Sequence, residues 1–410
     1  MKRIFLDHAA GRENPNSIHQ EGREARAILD HAKQVVATFV HADSPSQIIF
    51  APSASLVNHF LLSEFPQVAV SAIEHHSLLH HPHTSTIIPV DGLGRVNDAS
   101  ILDVTESVRA KVGGPQWAIL GGGRRGTPIE SLTRNGGGDR QDPKYPDDEP
   151  TFAPLKLISI ALANHEIGTL QNIKKLSTLA HTHKFLFHTD ASAALTKTPI
   201  NVKNLDVDFL TLSGPKIGIP GIAALFAKNP TKNFIKLGAE QKTVPARVFS
   251  RRQHFISQIK FPFGTPNIPA ISALTHTLST GVDLPKLYKV SVRHLRDHLA
   301  HRLSTEIPDV TINGDPTKSL PNILNVSFKG AEGESILAML DVAGISVSTG
   351  SACALGEPSH VILAITDGDH VAAHNSIRFS LHPTNTLEEI DYVVDTTKQI
   401  VTKLREYTTQ

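Results

Sequence analysis

Apolar runs alternating with helix-patterned stretches predict an α/β fold: a largely parallel sheet covered by helices on both faces, followed by a smaller α+β domain. Three observations carry this. Short runs rich in Val, Ile, Leu and Phe recur through the first part of the chain, as strands buried on both faces require. Stretches of helical period stand between them, the order that builds a parallel sheet with crossover helices. The C-terminal third reads differently, with a long helix pattern leading into strand-like runs and closing on another long helix.

In chain order, Ile28, Leu29, Ala32, Val35, Val36 and Phe39 fall on one face of a helix. Residues 47–51 (QIIFA) read as a strand, 52–55 (PSAS) as a turn and 56–62 (LVNHFLL) as a helix, with a second apolar run at 68–73. Strand-like KLISIALA (156–163), FLFHTD (185–190), DFLTLSG (208–214) and AALFA (223–227) follow, with a helical stretch at about 173–183. The last third offers a helix over roughly 287–303, NILNVSF (322–328), a helix from about Glu334, ISVSTG (345–350) and SIRFSL (376–381). Its final helix opens with a capping box, Thr386 with Glu389 three residues on. The change in pattern puts a domain boundary near 255–270: a large domain over 12–262 and a small one over 263–410, with residues 1–11 packing on the small one.

The 410 residues give room for about two to three domains. Forty Lys plus Arg against 39 Asp plus Glu leave a net charge of +1, which argues against nucleic-acid or membrane binding by bulk electrostatics. The single cysteine, Cys353, excludes intrachain disulfides and multi-cysteine metal sites. The N-terminus turns polar at Asp7, too soon for a signal-peptide core, and no apolar run reaches membrane-spanning length. A soluble, cytoplasmic protein is the expectation.

Two patterns are set aside. Gly121, Gly123 and Gly126 match a dinucleotide fingerprint in spacing, but NGGG at 135–138 breaks the helix that fingerprint needs. The whole of 113–150 is Gly/Pro-rich and charged, and reads as a surface insertion or disordered loop. The run EHHSLLHHPHTS (74–85) invites a metal reading, yet a zinc site needs three or four convergent ligands, and 23 histidines cluster by chance; no metal is expected.

Other residues sit where chemistry is done. Lys216 follows a strand at the edge where open α/β sheets bind ligands, and there a desolvated amine can serve as a nucleophile; the plainer reading is a surface lysine. Asp190 ends another strand, where a buried carboxylate needs a cationic partner such as a protonated pyridine nitrogen. Ser53, Ala54 and Ser55 form a strand-to-helix turn that can cradle a phosphate. Together these are the three grips that pyridoxal phosphate requires. Cys353 lies among small residues in SVSTGSACALGEPSH, as an accessible thiol or as a small buried hydrophobe.

At this point the chain resembles the pyridoxal-phosphate cysteine desulfurases of the class V aminotransferase superfamily. The likeness runs through LDHAA (6–10), NPNSIHQEGREAR (14–26), QIIFAPSAS (47–55), IEHHSLL (73–79), LANHEIGTLQNI (162–173), LFHTDASAA (186–194), LSGPK (212–216), FGTPNIPAI (263–271), PNILNVSF (321–328), STGSAC (348–353), EPSHVILAI (357–365) and SIRFSL (376–381). It implies the fold type I architecture of pyridoxal-phosphate transferases, with a mostly parallel seven-stranded sheet in the large domain. It implies Lys216 as the Schiff-base lysine, Asp190 as partner of the pyridine nitrogen and His75 stacked on the ring and shuttling protons. Ala54, Ser55 and Ser213 would hold the phosphate, with Thr265 reaching it from the second subunit of a homodimer. Asn164 and His165 would lie at the cofactor, Arg378 and Asn14 would bind the carboxylate of the L-cysteine substrate, and Cys353 would accept the sulfur as a persulfide. An iron–sulfur scaffold or a tRNA-thiolation enzyme would receive it. Selenocysteine lyase, another class V activity, and a non-catalytic assembly partner are the alternatives.

The sequence departs from the family pattern at several places. His165 stands where an asparagine contacts the ring hydroxyl, Ala193 where a glutamine is usual, and Pro215 where a histidine precedes the lysine. The arginine usual before the S-G-T motif is replaced around Pro262, and the lysine loop is one residue short. A helix-sized piece is missing between Ala10 and Asn14, and the stretch from Cys353 to Glu357 is about two residues shorter than in Fe–S-assembly members.

Overall fold

The computed structural model describes residue 7 and residues 13–112, 156–229, 263–350 and 357–408. The 113–150 segment with its glycine pattern, most of residues 1–11, and Cys353 lie outside the described residues.

Seven strands form the large sheet: β1 (Ile48–Ala51), β2 (Gln67–Ser71), β3 (Thr84–Ile88), β4 (Lys156–Ser159), β5 (Leu186–Asp190), β6 (Phe209–Ser213) and β7 (Ala223–Ala227). Their spatial order is β1-β7-β6-β5-β4-β2-β3. The run β6-β5-β4-β2-β3 is parallel, and β7 lies antiparallel to both β1 and β6. The expected mostly parallel, seven-stranded α/β sheet is therefore present.

The apolar runs are continuous because both faces are covered. On one face, Leu157, Leu186, Phe209, Ala223 and Leu225 pack with Val57, Leu61 and Leu62 of α2 (Ala54–Ser63). On the other, Ile158, Phe187, Leu210, Ala224 and Phe226 meet α1 (Gln20–Phe39) and α5 (Ile173–Thr182). The short α3 (His76–Leu79), α4 (Asp98–Val112) and α6 (Val202–Leu205) also lie between strands. Besides the one-turn α3 and α6, β3 and α4 escaped sequence reading. β3 is an edge strand whose TSTII pattern is half exposed, and α4 precedes the glycine-rich segment.

The next helix, α7 (Ile268–Ser279), packs along α1, and its Ile268, Ala270, Ile271 and Leu274 join the same apolar cluster. Phe263 joins the cluster on the α2 face. The large core thus continues past the boundary expected at 262, because helix period and not a change in composition decides which face buries these residues.

Beyond it, α8 (Arg293–Glu306), α9 (Gly333–Val342) and α12 (Leu387–Thr408) cover the antiparallel sheet β10-β9-β8, made of β8 (Val310–Asn313), β9 (Ile323–Phe328) and β10 (Ser376–Ser380). Two short helices precede β10: α10 (His360–Ile365) and α11 (His370–His374). The capping box forms as read: Glu389 N–H donates to Thr386 Oγ1, and Thr386 N–H to Glu389 Oε2. The strand expected at 345–350 reduces to one bridge, Ser348 with Arg378, flanked by Gly344 and Gly350 at positive φ.

After β6 the chain makes a single 3₁₀ turn, Gly214–Ile217, which carries Lys216 and is closed by Gly218 in the left-handed region. A Cβ at Gly214 would stand 2.4 Å from the Ile219 carbonyl oxygen. Backbone there cannot yield without moving the turn. Gly214→Ala should therefore cost about 1–3 kcal/mol, read as a lower denaturant midpoint, and should lower cofactor retention by displacing Lys216.

Candidate active site

The parallel strands end at one edge of the sheet, and the residues just beyond them line a single cleft of about 170 Å³. Ser53, Ala54 and Ser55 follow β1; Glu74, His75 and Ser77 follow β2; Ala161, Ala163 and His165 follow β4. Asp190, Ser192 and Ala193 come from the end of β5, and Ser213, Pro215 and Lys216 from the end of β6; Asn58 reaches in from α2. This is the crevice at the carboxyl edge where open α/β sheets bind ligands.

One end suits a phosphate. Ser53 caps α2, its Oγ accepting from Leu56 N–H at 3.2 Å, so the free amides of the first turn point into the cleft beside Ser55 and Ser213. At the other end Asp190 is buried, Oδ1 accepting from Ser192 N–H at 2.9 Å and Oδ2 from Asn58 Nδ2 at 3.0 Å. Lys216 is exposed at the cleft mouth, so the desolvation expected of its amine is not supplied by the described residues. Lys197 ties its turn down, donating to the Leu195 carbonyl at 3.1 Å and the Lys216 carbonyl at 3.2 Å. Burial, aided by the nearby Lys216 charge, pulls the Lys197 ammonium down to about 8.

His75 caps α3. Its Nδ1 accepts from Ser77 N–H at 3.2 Å, which leaves the proton of the neutral ring on Nε2. Desolvation lowers its pKa, and Lys216 and His76 add to this against Asp190. The His165 ring lies 5.8 Å from that of His75, and burial drives its pKa well below the usual value.

The remaining expected residues are spread more widely. Asn164 does not line the cleft: its Oδ1 accepts from Glu166 and Ile167 N–H and its Nδ2 donates to the Ile73 carbonyl, each at 2.8 Å. It holds the 164–167 loop against the segment that carries His75. Arg378 is half-buried, its Nη1 donating to the His165 carbonyl at 3.3 Å, with Nε lacking a partner among the described residues. Asn14 spends its Oδ1 on Asn16 N–H, and Thr265 is exposed; neither lines the cleft of this chain. Cys353 lies outside the described residues, but residues on both sides of it lie close to Glu166. Ser359 Oγ donates to Glu166 Oε1, and a Cβ at Gly350 would stand 3.2 Å from that oxygen.

Glu74 and Glu166 went unnoticed in the sequence, since a glutamate in a loop is ordinarily solvated. Burial pushes Glu74 up to about 8, against hydrogen bonds from Ser71 Oγ at 2.5 Å and Ala161 N–H at 2.8 Å. Burial likewise raises Glu166 to about 7, against the Ser359 hydroxyl and the Arg378 charge. The histidine run divides. His76 stacks on His80 and meets His360, while His81 and His83 brace Ser63 and the Phe65 carbonyl. Among the described residues no group of three or more His, Cys, Asp or Glu could hold a metal.

The cleft fits pyridoxal phosphate. It joins a helix N-terminus and two hydroxyls for the phosphate, a carboxyl group and a lysine for the ring, and a flat imidazole. His165 Nε2, Ser192 Oγ and Glu74 Oε2 also line it as buried atoms without a partner among the described residues.

Comparison with known proteins agrees. Residues 148–393 match the family model of the class-V aminotransferases. The chain is 32% identical to a cysteine desulfurase IscS of Dictyoglomus turgidum, over 98% of this chain and 90% of that protein. It is also 32% identical to a cysteine desulfurase of Cereibacter sphaeroides, over 98% and 91%. The fold superposes on a NifS-like protein of Rickettsia africae with a TM-score of 0.69 at 24% identity, covering 94% of this chain and 91% of that one. The chain belongs to the class-V aminotransferase family of pyridoxal-phosphate-dependent enzymes. Within that family it belongs to the cysteine desulfurases.

The two buried glutamates set a pH dependence. Both bind a proton more tightly when folded than at the ordinary value of 4.5, so the folded state holds extra protons between about 4.5 and 8. The stability they contribute should therefore be lost as pH rises through that window; the histidines that burial holds below their ordinary value of 6.5 act in the opposite sense up to that pH, so the decline should show between about 7 and 8. Glu74→Gln keeps the acceptor for Ser71 and Ala161, and should remove the part of the decline between about 7 and 8 in thermal melts taken across pH. An unchanged profile would show that Glu74 is ionised when folded.

Proposed function

We propose that this enzyme takes sulfur from L-cysteine, releases L-alanine and carries the sulfur as a persulfide on Cys353. The observation that carries the reading is the convergence of Lys216, Asp190, His75 and the α2 N-terminus on one cleft, with Glu166 tying down Ser359 on the C-terminal side of Cys353. Ala54, Ser55 and Ser213 would hold the phosphate, and Asp190 would partner the pyridine nitrogen. When bound, the cofactor supplies a sink for the electrons released at the substrate Cα. Lys216 would hold the cofactor and would serve as the base for the Cα proton. His75, its Nδ1 held as an acceptor by Ser77 N–H, would lie beside the cofactor and pass protons. The Arg378 guanidinium would take the substrate carboxylate through its planar fork. The Cys353 thiolate attacks the substrate sulfur, whose bond to carbon breaks as alanine forms.

The reading extends to a homodimer in which Thr265, exposed in the single chain, reaches the phosphate of the second subunit's site. An acceptor protein in iron–sulfur assembly or tRNA thiolation takes the persulfide sulfur, and the cytoplasm is the compartment. Among the described residues no helix is long and apolar enough to cross a membrane. A second reading, a non-catalytic assembly partner, is favoured by Ala193 and Pro215, which line the cleft yet offer no side-chain hydrogen bond.

One assay separates the two: alanine and protein persulfide measured after cysteine is added to the cofactor-loaded protein. Cys353→Ser should abolish persulfide while retaining bound cofactor, and Lys216→Ala should lose the visible absorption of the bound cofactor. Arg378→Ala should raise KM for cysteine roughly 10–100-fold, the loss of a charge-assisted pair. No alanine from the wild-type protein would sink the desulfurase reading in favour of the partner.

A further inference from the structure

Below the cleft lies a file of buried polar side chains that the chemistry above does not use. The register of the sheet pairs Ser159 with His188 and Asp190 with Thr211, across three adjacent strands. These residues share the sheet face that is apolar at Leu157, Leu186 and Phe209 and turns polar toward the carboxyl edge, and Asn58 of α2 lies over them. Ser159, His188 and Thr211 are fully buried and Asn58 nearly so.

Each link is a hydrogen bond: Ser159 Oγ to His188 Nδ1 at 2.8 Å, His188 Nε2 to Thr211 Oγ1 at 2.9 Å, and Thr211 Oγ1 to Asn58 Oδ1 at 3.0 Å. The last runs from Asn58 Nδ2 to Asp190 Oδ2 at 3.0 Å. Donor and acceptor chemistry gives the file one direction. Asn58 must turn its amide N–H₂ to the carboxyl group, so its oxygen accepts, and only the Thr211 hydroxyl proton can fill it. The Thr211 oxygen is then left to accept from an Nε2–H of His188. The bare Nδ1 in turn accepts the Ser159 hydroxyl.

We propose that Asn58, Thr211, His188 and Ser159 form a directional hydrogen-bond relay that fixes His188 as its Nε2–H tautomer and positions the Asp190 carboxyl group for the cofactor ring. They are positioning residues, acting through Asp190. Desolvation, which brings His188 down to about 4 against the pull of Asp190, agrees with a neutral ring. The relay's effect on the cofactor rests on the assignment of Asp190 proposed above; the tautomer does not.

The ring nitrogens of His188, observed by long-range proton–nitrogen NMR and assigned through His188→Gln, test the first part on the full chain without cofactor. The wild type should show a protonated Nε2 and a bare Nδ1. Thr211→Val removes the acceptor and should move the proton to Nδ1, where Ser159 can receive it; Thr211→Ser should restore the wild-type pattern. Cofactor affinity, measured by fluorescence titration, should fall about tenfold in Thr211→Val and recover in Thr211→Ser, the loss of one hydrogen bond in a buried network. An Nδ1–H tautomer in the wild type overturns the relay, and needs no variant to fold. A tautomer that moves in Thr211→Val with cofactor affinity unchanged overturns its action on Asp190. Asp190→Ala with full cofactor affinity would instead sink the assignment of Asp190 and leave the tautomer result standing.

Discussion

The sheet is sealed on both faces, and the rest of the molecule depends on that. With α2 on one side and α1, α5 and α7 on the other, strand residues from Leu157 to Phe226 have no exposed face on which to place polar groups. Backbone amides inside the sheet are paired with neighbouring strands. Polar side chains can gather at the carboxyl edge, where β1, β2, β4, β5 and β6 end together and the chain turns away. The cleft is a consequence of strand direction, and each crossover delivers one component: a helix N-terminus from β1, an imidazole from β2, a carboxyl group from β5, a lysine from β6.

Burial then sorts the ionisable groups around that edge. Carboxyl groups shift toward their neutral form, as Glu74 and Glu166 do, and imidazoles toward theirs, as His75, His165, His188 and His360 do. The physical cause is one and the same, the expense of a charge away from water. Of the groups that line the cleft, Glu74, His75 and His165 are thus all shifted toward their neutral forms. Glu166 has a second consequence: its carboxyl group ties the loop behind His165 to Ser359, on the C-terminal side of the thiol.

Much of this was legible in sequence, in specific places. β7 was read residue for residue, because AALFA is an uninterrupted apolar run between turn signals, and β5 and β6 to within a residue or two. The Thr386 capping box was readable because it is local chemistry. β3 and α4 were not read, because an edge strand with a polar face and a weakly amphipathic helix carry little periodic signal. The 345–350 run looks like a strand in composition, yet it pairs only at Ser348, since its glycines turn the backbone out of register. In the site, Lys216, Asp190 and Ser53–Ser55 stood out by position at strand ends. His188 could have been flagged as a polar residue inside an apolar strand; Asn58 and Glu74 offered no such sign.

By itself, the sequence determined the fold class, the family and the edge of the sheet where the chemistry gathers, because those follow from hydrophobic period and from short contiguous motifs. Only the tertiary structure decided how these residues work together. Asn164 serves the loop and leaves the cleft to His165. Helix α7 belongs to the large core. A hydrogen-bonded file runs from Ser159 to Asp190 through residues from α2 and three strands. The physical reason is that hydrogen bonds and burial depend on register between strands and on the seating of a helix above them. Residues 132 positions apart, such as Asn58 and Asp190, become partners through those long-range contacts, which no local pattern encodes.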